Sequence, residues 1–154
     1  MYGVLLAAPL LVLGSFPAQD RRADAIDDYK EERTRVLALS GQRHLEYGLE
    51  LRKKGLTLQA AAQILLAVEA SQGRNETAEF ILNLMRAYQD EFWKRKIQEP
   101  APERIESYEK RAQKLRRQDQ EDRLGLVRWA ERMHLEEQAY EELRELLLEI
   151  DEPL

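Results

Sequence analysis

The chain has two histidines, His44 and His134, and neither stands in a catalytic or metal-binding pattern such as His-Glu-x-x-His. The sharpest chemical candidate is Glu131-Arg132-Met133-His134, because Glu-x-x-His on one helix supplies half of a carboxylate di-iron site. Such a site needs the motif twice, together with two further inward glutamates, and here it occurs once. The expectation is no metal, and for His134 a polar role at a helix end. Glu136, Glu137, Glu141, Glu142 and Glu145 make an acidic run that follows the start of a helix, where the backbone dipole favours carboxylates. That run reads as a solvated face. Ser15, Ser40, Ser71 and Ser107 lack the glycine-flanked setting of a nucleophile elbow, and Gly73 and Gly125 are isolated glycines that build no phosphate-cradling loop. The absence of cysteine removes thiol nucleophiles, zinc–thiolate sites, disulfides and lipoprotein acylation. The sequence therefore predicts no catalytic residue, no cofactor and no metal.

One basic patch stands out. Lys110, Arg111, Lys114, Arg116 and Arg117 place five cations in eight residues, a candidate site for an anionic polymer or membrane surface. Glu103, Glu106 and Glu109 precede it at spacings that allow intrahelical pairs, so a charged solvent face is the competing reading. The formal net charge of −5 argues against a general nucleic-acid binder. Tyr88, Phe92, Trp93 and Trp129 could stack on a ligand, but their helical spacing suits a core better.

Helices must position all of these groups. Charged residues make up 34% of the chain and apolar ones 44%, and only 7 Gly and 5 Pro interrupt a 3.6-residue apolar period that contains no strand-like alternation. The spacing predicts a helix over 23–40 stopped by Gly41, then 43–54, closed by Arg52-Lys53-Lys54-Gly55. Thr57 caps the next, an alanine-rich helix that is apolar nearly all round and ends at Gly73. Asn75 caps a long helix reaching about Lys96, and Pro102 opens another in which Ile105, Tyr108, Ala112 and Leu115 form a narrow seam. Two last helices, 122–133 and 136–150, make a second hairpin. The expected fold is all-α, with six or seven helices in one domain over residues 23–154.

Laying the second hairpin on the first, 79 residues apart, matches Leu45 with Leu124, Leu56 with Leu135, Ala60 with Ala139, Ile64 with Leu143 and Val68 with Leu147. On the same offset His134 falls on Gly55. In the first hairpin Gly48, Leu51, Ala60, Ile64 and Ala67 follow one another 3, 9, 4 and 3 residues apart. Small residues let two helix axes approach, and the bulky one between them fills the partner's groove. This pattern resembles the tetratricopeptide repeat. The second hairpin carries it more loosely as Val127, Ala130, Ala139, Leu143 and Leu146, which predicts a wider crossing. The resemblance implies antiparallel hairpins stacked in a short array that offers a concave groove to a peptide or protein. Leu51-Arg52-Lys53-Lys54-Gly55-Leu56 before an alanine-rich helix is also similar to repeat-bearing regions of exported bacterial proteins, which implies location and names no substrate.

The run Val4–Leu13 is apolar and too short to span a ~30 Å hydrocarbon core. Residues 1–18 read as a signal peptide, or as an uncleaved N-terminal anchor, giving an exported protein of the periplasm, cell envelope or medium. After Ile150 no polar capping helix follows, which suggests a truncated array, folding back of the last hairpin on the long helix begun at Asn75, or a surface left for another chain. The expected function is a non-enzymatic interaction or scaffold module with a protein or peptide partner. Binding of an anionic polymer or membrane through the basic patch is the second expectation, and an enzyme is the least supported class.

Overall fold

The computed structural model describes residues 18–87 and 101–151, and these are helical with short turns. Five helices follow in order: α1 (Ala18–Lys53), α2 (Thr57–Ala70), α3 (Glu76–Ala87), α4 (Pro102–Arg132) and α5 (Glu136–Asp151). Residues 1–17, with the apolar run, and 88–100, with Tyr88, Phe92, Trp93 and the expected end of the third helix, lie outside the described residues.

Two expected breaks are absent, which is why five helices replace six or seven among the described residues. The first was at Gly41. Glycine inside a helix costs about 1 kcal/mol relative to alanine, which makes it look like a terminator. Here α1 runs straight through it, and a Cβ at Gly41 would lie 2.9 Å from Ala67 O and from Ser71 Cβ. The missing side chain is the space into which α2 packs. Gly48, two turns on, does the same: its Cβ would meet Ile64 Cγ1 at 2.8 Å and Ala60 O at 3.2 Å. The second break was between Leu115 and Asp122, where no Gly or Pro occurs and polar helix formers carry α4 across.

The turns obey the same chemistry twice. After α1, Leu56 N–H donates to Leu51 O (3.0 Å) with Gly55 at φ +77°; after α4, Leu135 N–H donates to Ala130 O (2.9 Å) with His134 at φ +57°. Leu56 and Leu135 are both buried beneath these turns. Thr57 is not a cap: Leu56 holds the cap position, and the Thr57 hydroxyl donates to Gly55 O (3.4 Å). Asn75 does cap α3, its Oδ1 accepting from Ala78 N–H (3.0 Å).

The long helices α1 and α4 run antiparallel, since Tyr29 stacks on Trp129 (6.2 Å between centroids), Arg43 meets Asp119 and Asp122, and Tyr47 stacks on Tyr108 (6.0 Å). At about 54 Å and 46 Å they span the molecule. The α2 helix packs along the C-terminal half of α1, and α5 along the C-terminal half of α4. Successive hairpins of a solenoid keep their first helices roughly parallel; here the equivalent first helices oppose each other. The hairpins therefore face one another about an approximate two-fold axis instead of stacking. Arg43 and Asp122, equivalent on the 79-residue offset, pair directly at 2.8 Å, so the axis passes between them.

Three apolar clusters follow from this arrangement. Ala25 and Tyr29 pack with Leu126, Val127, Ala130, Leu135, Ala139 and Leu146 at one end. Tyr47, Leu51, Leu56, Ala60 and Ala112 make the corresponding cluster at the other. The third has no counterpart among the described residues: Leu45, Ile64 and Ala67 are covered by Ala78 of α3, with Val68, Ile81, Leu82 and Met85 around them.

Candidate functional site

The polar residues that matter are inside. Glu142 of α5 is 1% exposed and accepts hydrogen bonds from Tyr29 Oη (3.2 Å), Arg33 Nε (2.7 Å) and Arg123 Nε. Glu145 receives Arg33 (2.7 Å) and Arg123 (3.1 Å), and Glu149 receives Arg123. Burial pushes the Glu142 carboxyl up, but the hydrogen bonds and charges of Arg33 and Arg123 outweigh it and hold the group below the ordinary carboxylate range. Burial, then the neighbouring Glu142, pushes the Tyr29 phenol well above its usual range. The expected solvated face of α5 is thus corrected at Glu142, while Glu145 pairs with Arg33 and Arg123 from an exposed position. One arginine from α1 and one from α4 converge there, and the carboxylate satisfies both.

A second relay lies across the two-fold axis. His44, 3% exposed, has Nδ1 2.7 Å from Gln63 Oε1 and Nε2 2.8 Å from Asp119 Oδ2, so each ring nitrogen has a partner. Gln63 Nε2 donates to Tyr108 Oη (3.3 Å), and Arg43 donates to Asp119. Burial pushes Asp119 up, while the hydrogen bonds of His44 and Arg43 hold it below its ordinary value. Tyr29 with Tyr108, His44 with Arg123 and Gln63 with Glu142 are all 79 residues apart. The two relays are the same three-residue device, ionic at one end and amide-centred at the other. Polar residues recurring on that offset, three positions after Ala60 and Ala139, were the signal in the sequence. They tie each hairpin's short helix to both long ones.

The repeat-packing residues are brought together in part. Gly48, Leu51, Ala60, Ile64 and Ala67 meet at the α1–α2 crossing, and Val127, Ala130, Ala139 and Leu146 are buried at the α4–α5 one. Leu143 is not among them: it is 38% exposed, because the inward face of α5 runs through Ala139, Glu142 and Leu146.

The basic patch is interleaved with acid. Lys110 pairs with Glu106 (2.7 Å), and Arg111 pairs with Glu50 (2.6 Å) while lying 4.5 Å above the Tyr47 ring. Lys114 and Arg117 make no ion pair among the described residues, and Arg116 Nε is buried without a protein partner. Beside the patch, a groove of about 420 Å³ is lined by Tyr47, Leu51, Leu56, Tyr108 and Arg111 among others. Among the described residues no group of three or more His, Asp or Glu side chains is placed to hold a metal, and no helix is long and apolar enough to cross a membrane.

Compared with protein-family models, curated proteins and solved structures, the chain gives no match.

The two-fold comparison exposes one difference that the core does not require. On α2, Ile64 is fully buried and Val68 half-buried under α3. At the equivalent positions of α5, Leu143 is exposed and Leu147 is 55% exposed, and Tyr140 and Leu148 on the same outward side are 67% and 63% exposed.

Proposed function

We propose that the protein is a non-enzymatic interaction module whose binding surface is the outward face of α5. The observation that carries this reading is the bare Leu143–Leu147 stripe, whose counterpart on α2 is covered by α3. A contiguous exposed apolar stripe on a charged helix is the usual mark of a contact surface. Burial of His44, Glu142 and their partners supports a structural role for the titratable groups, in keeping with a module that performs no chemistry. The tetratricopeptide likeness enters at the level of the single hairpin, supported by the small-residue crossing at Gly48 and Ala60. The apolar run Val4–Leu13 supports export to the envelope or beyond as part of the same proposal. Anionic-polymer binding through Lys110–Arg117 has less support, since Lys110 and Arg111 already hold carboxylate partners.

Photocrosslinking from position 140, in the cells that make the protein, tests the reading against a control position on the far half of α4, Glu109. A discrete adduct from 140 alone, lost in the Leu143→Asp/Leu147→Asp variant, is the expected result. Equal yields from both positions would refute it.

A further inference from the structure

We infer that the His44–Gln63–Tyr108 relay is a two-state proton switch, in which charge on the His44 imidazole sets the direction of the Tyr108 hydroxyl through the Gln63 amide. The starting point is a difference between the two ends of the molecule. At the ionic end the relay has one direction, because Arg123 is always charged, ionised Glu142 accepts only, and Tyr29 Oη therefore donates inward at 3.2 Å. At the other end His44 and Gln63 stand in the places of Arg123 and Glu142. A neutral imidazole and a carboxamide each offer a donor and an acceptor, so the bonds close both ways. With His44 charged, Nε2–H donates to Asp119 Oδ2 (2.8 Å), Nδ1–H donates to Gln63 Oε1 (2.7 Å), and Gln63 Nε2 donates to Tyr108 Oη (3.3 Å). With His44 neutral, Nε2 keeps its hydrogen for Asp119 and the amide turns over, a change that leaves its outline in place. Gln63 Nε2 then donates to the bare Nδ1, and Tyr108 Oη donates to Oε1 as Tyr29 does to Glu142.

Burial couples the two movements. Gln63 is 1% exposed, and an amide left unturned beside a neutral ring would hold two acceptors 2.7 Å apart. Asp119 anchors the other side: burial pushes its carboxyl up, but the hydrogen bonds of His44 and Arg43 hold it below its ordinary value, so it accepts in both states. The remaining charges near the ring are Arg43, which precedes His44 and holds Asp122 behind it, and Arg116, one turn before Asp119 on α4. From α2 the ring meets Gln63, and Glu69, the one charged residue of that helix, is exposed. Tyr108 is half-buried and lines the groove beside Tyr47, so the far end of the switch lies at that groove. Charged His44 leaves the Tyr108 hydroxyl hydrogen free to donate elsewhere, and neutral His44 draws it inward.

The full chain carrying His134→Gly, an exposed turn position, leaves His44 as its one imidazole and tests the switch by NMR across about pH 5–8. Imidazole nitrogen shifts read the charge and tautomer of His44, and the side-chain amide of Gln63 and the hydroxyl-bearing ring carbon of Tyr108 read the rest of the relay. All three should change with one common midpoint, and the neutral ring should carry its hydrogen on Nε2. Nuclear Overhauser contacts of the Gln63 amide hydrogens should pass from the Tyr108 ring to the His44 ring as pH rises. In Gln63→Met the Tyr108 signal should stay flat while His44 still titrates. Amide contacts that stay with one ring throughout, a neutral ring with its hydrogen on Nδ1, or a ring that keeps one charge state over the whole range would each overturn the switch. So would a Tyr108 signal that follows His44 unchanged in Gln63→Met, which would mean a direct field effect. The amide contacts are read with the relay intact, so they decide the matter even where Gln63→Met does not fold.

Discussion

Replacing Glu142 with Gln keeps the shape of the side chain and removes one charge from a cluster that has none to spare. Arg123, whose side chain is 7% exposed, then depends on Glu145 and Glu149, which are 47% and 61% exposed and screened by water. Arg33 loses its 2.7 Å contact with a buried carboxylate and keeps only Glu145. Removing one partner of a buried pair costs about 3–5 kcal/mol, because the other charge is left desolvated. The surviving contacts to Glu145 and Glu149 place this case nearer about 3 kcal/mol. Against a typical stability of about 5–15 kcal/mol that is a large fraction, and it corresponds to a fall in Tm of roughly 10 °C for a chain of this size. Urea unfolding followed by circular dichroism reads it directly, as a shifted midpoint with unchanged slope. The other relay supplies the control. In Arg33→Ala/Arg123→His/Glu142→Gln the ionic end acquires the residues found at Ala112, His44 and Gln63, and much of the loss should be recovered. A loss below about 1 kcal/mol for Glu142→Gln would mean a hydrated surface pair, and the packing of α5 between α1 and α4 would have to be abandoned.

Stability should fall on acidification: Glu142 and Asp119 are held below their unfolded values, so their contribution is complete above about pH 4–5 and is lost as pH drops through their folded values, and Glu142→Gln should blunt that loss in urea titrations across pH. Gly48→Ala should destabilise by about 1–3 kcal/mol, since its Cβ would meet Ile64 Cγ1 at 2.8 Å, whereas Gly125→Ala, with nothing within 4 Å, should stabilise by up to about 1 kcal/mol; thermal melts of the pair compare them. His134→Gly should raise Tm by a few degrees, because a left-handed conformation at φ +57° costs a side-chain-bearing residue about 1 kcal/mol that Gly55, at the equivalent turn, does not lose.

The helical class, the turns at Leu56 and Leu135 and the cap at Asn75 were legible because each depends on a few adjacent residues. Gly41 was misread because a glycine that ends a helix and one that lets a neighbour approach look alike until the neighbour is placed. Across the missing break between Leu115 and Asp122, Asp119 is turned inward to His44 and Arg43, a placement that its polarity alone does not reveal. On α5 two apolar stripes compete, Leu135–Ala139–Leu146 and Tyr140–Leu143–Leu147, both at helical spacing. Only contact with α1 and α4 decides that the first faces inward, and that choice carries Glu142 into the core. The relay residues were visible only as a pattern, Tyr29/Tyr108, His44/Arg123 and Gln63/Glu142, whose members differ in type within two of the three pairs.

The same two-fold arrangement explains why the uncovered stripe bears on function. Each short helix needs cover on two sides, and the opposite hairpin supplies the inner one at both ends: Ala112 with Tyr108 over Leu56 and Ala60, Ala25 with Tyr29 over Leu135 and Ala139. The outer side of α2 is closed by α3, and there the apolar character of Ile64 and Val68 is accounted for by the core they help to form. Leu143 and Leu147 belong to no core cluster among the described residues, so folding does not account for theirs. Charged residues at such exposed positions would change stability by about 0.5 kcal/mol or less and would improve solubility. Leu143→Asp/Leu147→Asp should accordingly leave the melting temperature of the isolated chain unchanged while abolishing the crosslink from position 140. A large loss of stability would instead assign the two leucines to the core, and α5 would then have no outward apolar face to offer.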